Sequence, residues 1–333
     1  MQHWDMPKIA VHFILLPDSL LLDWSGPAEA LRIANKLCKA RGLQEPFALH
    51  FHSPEPQVGS SVGALLTGLA PLPALNPALQ AWVVLPGLIG TRVDVRARST
   101  QQVVRWLSQL QLGQGIELVT ICAGSVLAAH AGLLAHRRAT SHHHHLEELC
   151  EVAPTCKVMA NRVFVDDPPV YSSAGVTAGI DLILHRIQAV GGASLAAQVA
   201  QTMVVALRRG SQDPELSPFL RYRDHLHAGL HRVQDAVAEN PREPWTVPSM
   251  AALANTSARH LARLFQEHAG IGPHEYVHRL RLELARTALA SGKTVSQAAE
   301  YGGFTSDAQL RRAWKAHGLP GSPSTQSSRS APV

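Results

Sequence analysis

Four short apolar runs separated by stretches of helical spacing constrain this chain more than any other feature. Lys8–Leu15, Phe47–Ser53, Ala81–Leu85 and Ile116–Ile121 are bounded by Gly, Pro or polar turns and read as buried strands. Ala28–Lys39, Arg98–Gln111, Ser125–Leu134, Val176–Val190 and Leu195–Leu207 carry helical periodicity. Strand and helix in alternation require right-handed crossovers, so the first part of the chain is an α/β domain with a mostly parallel sheet covered on both faces by helices. Such sheets place their sites at the C-terminal ends of the strands.

From about Tyr222 the strand signal stops and only helices remain. Leu226, Leu230, Val233 and Val237 fall on one helical stripe. Arg208–Leu220, with Gly210, Pro214 and Pro218, reads as a linker, and the Pro- and Ser-rich end after Gly318 as a frayed tail. A length of 333 residues suits two domains. The expected division is 8–207 for the α/β domain, 208–222 for the linker, 223–318 for an all-α domain and 319–333 for a flexible tail. Charge divides in the same place: residues 1–239 carry 19 Lys/Arg and 19 Asp/Glu, whereas residues 240–333 carry 11 and 6. A basic helical end behind a neutral body points to a polyanion partner.

With 46% apolar and 17% charged residues, the chain is neither disordered nor fibrous. The longest early apolar run, Ile9–Leu16, is interrupted by His12 and has no basic segment before it, so neither a signal peptide nor a membrane span is expected. Four scattered cysteines, Cys38, Cys122, Cys150 and Cys156, do not make a disulfide framework and suit a reducing, cytoplasmic setting.

The all-α part contains one plan twice. A short helix and a polar or Gly-containing turn lead into a second helix that opens at Ser and carries a large aromatic residue eight positions later. The first copy is Val247–Ala254, Asn255-Thr256, then Ser257 to Phe265; the second is Val295–Tyr301, Gly302 to Thr305, then Ser306 to Trp314. Ser257 and Ser306 suit N-caps, and Thr294 with Gln297 suits a capping box. Both copies read as helix-turn-helix. Leu261, Leu264 and Phe265 in one second helix, and Leu310, Ala313 and Trp314 in the other, form the apolar stripe. The opposite faces carry Arg259 and Arg263, and Gln309, Arg311 and Arg312, side chains suited to phosphates and purine edges. The wet face of any amphipathic helix carries such residues too; the repetition favours nucleic acid. The two serines are 49 residues apart, and a helix over Pro273–Ala290 would span roughly 27 Å at 1.5 Å per residue. That is near the ~34 Å between successive major grooves on one face of DNA.

Residues 225 to 317 resemble the DNA-binding domain of AraC/XylS-family transcription regulators, carried by Gly303-Phe304-Thr305-Ser306 with Leu310, Arg312 and Trp314, and by Ser257, Leu261, Arg263 and Phe265. The resemblance implies promoter DNA as partner, and the candidate contacts are Ser257, Arg259, His260, Arg263, Ser306, Gln309, Arg311 and Arg312. The family's closing aromatic-Gly-x-x-Pro turn is matched without its aromatic at His317-Gly318-Leu319-Pro320-Gly321.

In the first domain, Cys122-Ala123-Gly124-Ser125 follows the strand Ile116–Ile121 and precedes a helix. A strand-to-helix turn of this kind projects a nucleophile at the sheet edge, where a helix N-terminus would lower a thiol pKa. A buried, inert Cys fits the same position. Residues 8–205 resemble the PfpI/ThiJ superfamily, of glutamine-amidotransferase-like fold, and within it the GlxA-like branch fused to an AraC-type domain. Leu22-Asp23-Trp24-Ser25-Gly26-Pro27, Leu85-Pro86-Gly87, Cys122-Ala123-Gly124, Ala139-Thr140-Ser141-His142 and the run Ser173 to Asp181 carry the likeness. It implies a flavodoxin-like sheet, Cys122 at the elbow, Asp23 beside it, His142 nearby and an oxyanion site at the backbone of Gly87 and Ala123. It also implies a homodimer whose pocket senses a small, often nitrogen-containing metabolite. The competing reading is a cysteine-dependent hydrolase or hydratase, like the isocyanide hydratases, with a helical appendage.

His142-His143-His144-His145 invites a metal. Adjacent side chains on a helix point in different directions, however, so no metal and no cofactor are expected.

Overall fold

A computed structural model describes residues 8–205, 209–211, 213–319 and 321–327. These divide into two compact units, one ending at Glu215 and the other beginning at Leu216. No helix among the described residues is long and apolar enough to cross a membrane.

The first unit runs β1 (Ile9–Ile14), α1 (Leu21–Ala40), β2 (Phe47–His52), β3 (Gln57–Gly59), β4 (Leu65–Thr67), β5 (Ala81–Leu85), α2 (Arg98–Leu107), β6 (Ile116–Ile121), α3 (Gly124–His130), β7 (Arg138–Ala139), a 3-10 turn (His143–His145), α4 (Leu146–Val152), β8 (Lys157–Val158), β9 (Phe164–Asp167), β10 (Val170–Ser173) and α5 (Thr177–Thr202). The main sheet has the order β2-β1-β5-β6-β10-β9. Its first five strands are parallel and β9 closes one edge antiparallel to β10. This is the flavodoxin-like order with an added edge strand, and its topological switch point lies between β1 and β5. All five residues of β5 are buried, as a central strand covered on both faces demands.

β9 and β10 were not expected as strands, because each has only four residues and only Pro168-Pro169 separates them. The helices expected over 176–190 and 195–207 are the two parts of α5, which non-helical backbone at Gly192 (φ +81°) separates. Residues 206–208 lie outside the described residues.

The front of the expected linker is anchored. Arg209 donates to Asp181 Oδ2 (2.8 Å) and Thr177 Oγ1 (2.8 Å), Asp213 O accepts from Val163 N–H (3.0 Å), and Glu215 meets His143 (2.7 Å).

The second unit is helical: α6 (Pro218–Arg221), α7 (Ala228–Glu239), α8 (Val247–Leu253), α9 (Ala258–Ala269), α10 (Pro273–Ala290), α11 (Val295–Tyr301), α12 (Asp307–Ala316) and α13 (Pro323–Ser327). It has two cores: one joins Leu230, Val233, Met250, Leu261, Phe265 and Leu280, the other Leu282, Leu289, Phe304, Leu310 and Trp314. Leu226 does not join the stripe expected for it. α7 begins two residues later and Leu226 is fully exposed. Within the expected tail, α13 packs against α10.

Because Arg209 is held by Asp181 and Thr177 while Arg221 is exposed at the end of α6, brief trypsin treatment is expected to cut after Arg221 before it cuts after Arg209. Intact-mass measurement of the first fragments checks this, and the reverse order would show that 209–215 is not anchored.

Candidate functional site

At the end of β6 the chain turns through Cys122 with φ +55°, a sparsely populated conformation for any residue other than glycine. Hydrogen bonds hold it there. Cys122 N–H donates to Ser173 O (3.0 Å), and Cys122 O accepts from Ser125 N–H (3.3 Å) and Ser141 Oγ (2.7 Å). The neighbouring backbones crowd the side chain. A Cβ on Gly175, itself at φ +93°, would lie 2.4 Å from Cys122 Cβ, and one on Gly87 would lie 2.7 Å from it.

Asp23, in the first turn of α1, is fully buried beside the elbow. Its Oδ2 accepts from Gly87 N–H (2.9 Å) and its Oδ1 from Val176 N–H (2.6 Å). Burial raises its pKa, and the two N–H groups oppose that rise. The Cys122 thiol is pushed far above its ordinary range, first by burial and then by the Asp23 charge; Ala123 N–H pulls it down, and Glu215 adds a smaller upward push. Desolvation thus acts against the lowering expected from a helix N-terminus. Gly87 N–H is taken by Asp23. The elbow therefore holds a buried thiol beside a Gly87 N–H that is already engaged.

The neighbouring histidines come together unexpectedly. His142 is extended (ψ 142°) and His143–His145 form a 3-10 turn, so the run is not an α-helix. One ring nitrogen from each of His142, His143 and His144 lies within 4.8 Å of the others. His143 Nδ1 is 2.7 Å from Glu215 Oε1, and His143 N–H donates to the same oxygen (3.1 Å). Burial first, then the adjacent histidines, lower His142 to a pKa of about 4. His145 is buried and pairs with Glu148 (3.1 Å). Among the described residues His142 makes no hydrogen bond to Cys122; Ser141 links the two segments instead. Glu215 carried no signal in the sequence, because it lies 72 residues from His143.

In the second unit both second helices are capped at the expected serines. Ser257 Oγ accepts from His260 N–H and Ser306 Oγ from Gln309 N–H, each at 3.2 Å. Thr294 and Gln297 make the expected capping box. A second box, Thr246 with Ser249, starts α8. Such caps contribute about 1 kcal/mol each. Leu261 and Phe265, and Leu310 and Trp314, belong to the two cores, and Leu264 is buried beside them in sequence. Arg259, Arg263, Arg311 and Arg312 are exposed. Arg263 leans on His260 (3.0 Å) and Glu267 (3.7 Å), whereas Arg259, Arg311 and Arg312 pair with no carboxylate among the described residues. Gln309 is less free than its position suggests: its Oε1 accepts from Thr305 N–H (2.7 Å) and Thr305 Oγ1 (2.9 Å) and so fixes the start of α12. α10, with its 18 residues, joins the two motifs.

Comparison with known proteins agrees with both halves. The DJ-1/PfpI family matches residues 11–189 and a helix-turn-helix domain matches residues 250–318. The HTH-type transcriptional regulator GbdR of Pseudomonas aeruginosa is 29% identical over 313 residues, covering 93% of this chain and 82% of the relative. The HTH-type transcriptional regulator GlxA of Rhizobium meliloti is 28% identical over 307 residues, covering 92% and 91%. A solved THiJ/PfpI family protein from Pseudomonas syringae, 18% identical, shares the fold with a TM-score of 0.51 over 75% of this chain and 91% of its own. The chain belongs to the DJ-1/PfpI family and carries that domain ahead of an AraC-type helix-turn-helix unit, the architecture of a DNA-binding transcription regulator.

Proposed function

We propose that the second unit binds promoter DNA through α9 and α12, under the control of a small-molecule sensor at the elbow of the first unit, and that the chain is not an enzyme. The DNA reading is carried by the two capped helices that present Arg259, Arg311 and Arg312 without a carboxylate partner among the described residues, since guanidinium groups not already held by carboxylates are ready for phosphates and base edges. Arg263 joins them once it exchanges its exposed Glu267 partner, a pair of small worth, for a phosphate.

Sensing rather than turnover is supported by the raised Cys122 thiol and by the engagement of Gly87 N–H with Asp23, which together leave neither a ready nucleophile nor a free pair of oxyanion donors. Beside the elbow, where Ser173 O holds Cys122 N–H, the Ser173 Oγ is buried without a partner among the described residues. Buried polar groups of this kind favour a small polar ligand. The acidic side chain of Asp23 favours one that brings N–H donors, such as a nitrogen-containing metabolite. A homodimer would bury Val62 and Leu65, both more than half exposed around the β3–β4 hairpin. The positive φ of Cys122 favours a second reading, a thiol-dependent hydratase or amidase, because strained elbows recur in hydrolases.

In binding assays with the upstream promoter fragment, Arg311→Ala and Arg312→Ala are each expected to cost about 1–3 kcal/mol where they read bases. Affinity should also fall steeply with salt through counterion release. Unchanged binding by a folded double variant would remove α12 from the interface.

A separate expectation concerns the thiols. Iodoacetamide near neutral pH should label the exposed Cys150 well before the buried Cys122, and the purified chain should show no Cys122-dependent hydratase or amidase turnover. Peptide mass mapping beside activity assays of the wild type and Cys122→Ser checks both. Turnover lost in Cys122→Ser would support the enzyme reading.

A further inference from the structure

The run of histidines has no part in the elbow chemistry or in DNA binding, yet it is arranged as a site. We propose that His142, His143 and His144 bind one divalent transition-metal ion, with Glu215 as the carboxylate that positions His143.

The backbone creates the convergence. An extended residue followed by a 3-10 turn places three consecutive rings with centroids 4.1, 4.3 and 4.9 Å apart. Their ring nitrogens, within 4.8 Å of one another, need small rotamer adjustments to reach the roughly 3.3 Å separations that follow from Zn–N distances of ~2.0–2.1 Å in a tetrahedral site. The Glu215 side chain is 8% exposed and receives His143 Nδ1–H at 2.7 Å. That bond fixes the tautomer and leaves His143 Nε2 with a free lone pair, the carboxylate–histidine arrangement that supports metal-ligating imidazoles. His142 Nδ1 accepts only a long bond from His144 N–H, at 3.4 Å, so its ring can turn at small cost. His144 is exposed and gives an ion access from solvent, while His145 is committed to Glu148.

The donor set selects the ion. Three imidazoles suit Zn²⁺, Co²⁺, Ni²⁺ or Cu²⁺, and they do not suit Mg²⁺ or Ca²⁺, which require oxygen. Three protein donors leave a coordination position for water or for an added ligand. The site is independent of the sensor reading of the elbow.

The test uses the full-length chain without a histidine tag, with Zn²⁺ in equilibrium dialysis and Co²⁺ followed by its visible absorption. One ion per chain is expected, with no competition from Mg²⁺. His143→Ala and His144→Ala should each weaken binding at least tenfold, and Glu215→Gln should weaken it about 10–100-fold while all three ring donors remain. The exposed position of His144 keeps the test valid even where the other variants fail to fold. No stoichiometric binding would overturn the proposal. Equal binding by wild type and His144→Ala would also overturn it, since the ion would then belong elsewhere, for instance to His225, His227, His231 and His268. Promoter binding measured on the same variants keeps failure of this site distinct from failure of the DNA reading.

Discussion

The first unit depends on a carboxylate in an apolar interior. Burying Asp23 costs several kcal/mol unless its oxygens are satisfied, and hydrogen bonds to a charged group offset about 1.5–3 kcal/mol each. Its two partners are backbone N–H groups from distant parts of the chain: Gly87, after β5, and Val176, at the head of α5. Val176 is a β-branched residue at φ +52°, a conformation that persists only where the surroundings impose it. One side chain of α1 thus ties the β5 loop and the start of α5 to the switch point of the sheet. Three residues further along, a Cβ on Gly26 would lie 2.9 Å from Ile180, so glycine there lets α1 and α5 approach closely. The Leu-Asp-Trp-Ser-Gly-Pro motif is a brace as well as a signature.

The second unit is organised around α10. Leu280 belongs to the core of the first helix-turn-helix and Leu282 to the core of the second, so one rigid helix sets the separation of the two motifs. Between these leucines, Arg281 donates to Pro241 O (2.8 Å) and Glu243 O (2.7 Å), which fixes the loop after α7. A Cβ on Gly302 would lie 2.7 Å from Arg281 O, so the turn between α11 and α12 packs directly on this helix.

How much of this was legible depended on whether the signal was local. Ala81–Leu85 and Ile116–Ile121 are strands with the expected ends, and the caps at Ser257, Thr294 and Ser306 lie where their sequences put them, because apolar runs and caps act over a few residues. The position of Cys122 at a strand-to-helix turn was legible in the same way. The state of its thiol was not, since Asp23 and the burying segments come from distant parts of the chain. The histidine run failed for a related reason: the helical assumption that scattered its rings is a statement about backbone, and the backbone there is extended and then 3-10. Glu215, supplied from the far end of the domain, left no trace in any local pattern.

That same glutamate has a mechanical consequence. It is the last residue of the first unit, and with Arg209 it pins the stretch that precedes the second unit. Seven residues of chain, 209 to 215, add at most about 25 Å of contour at ~3.3–3.6 Å per residue when they peel away. Tether length sets the effective concentration at which a linked module meets its target, which falls roughly as the −3/2 power once the tether exceeds the span required. Loss of the Glu215–His143 and Arg209–Asp181 bonds would therefore lengthen the tether that precedes the helical unit, with no change inside that unit.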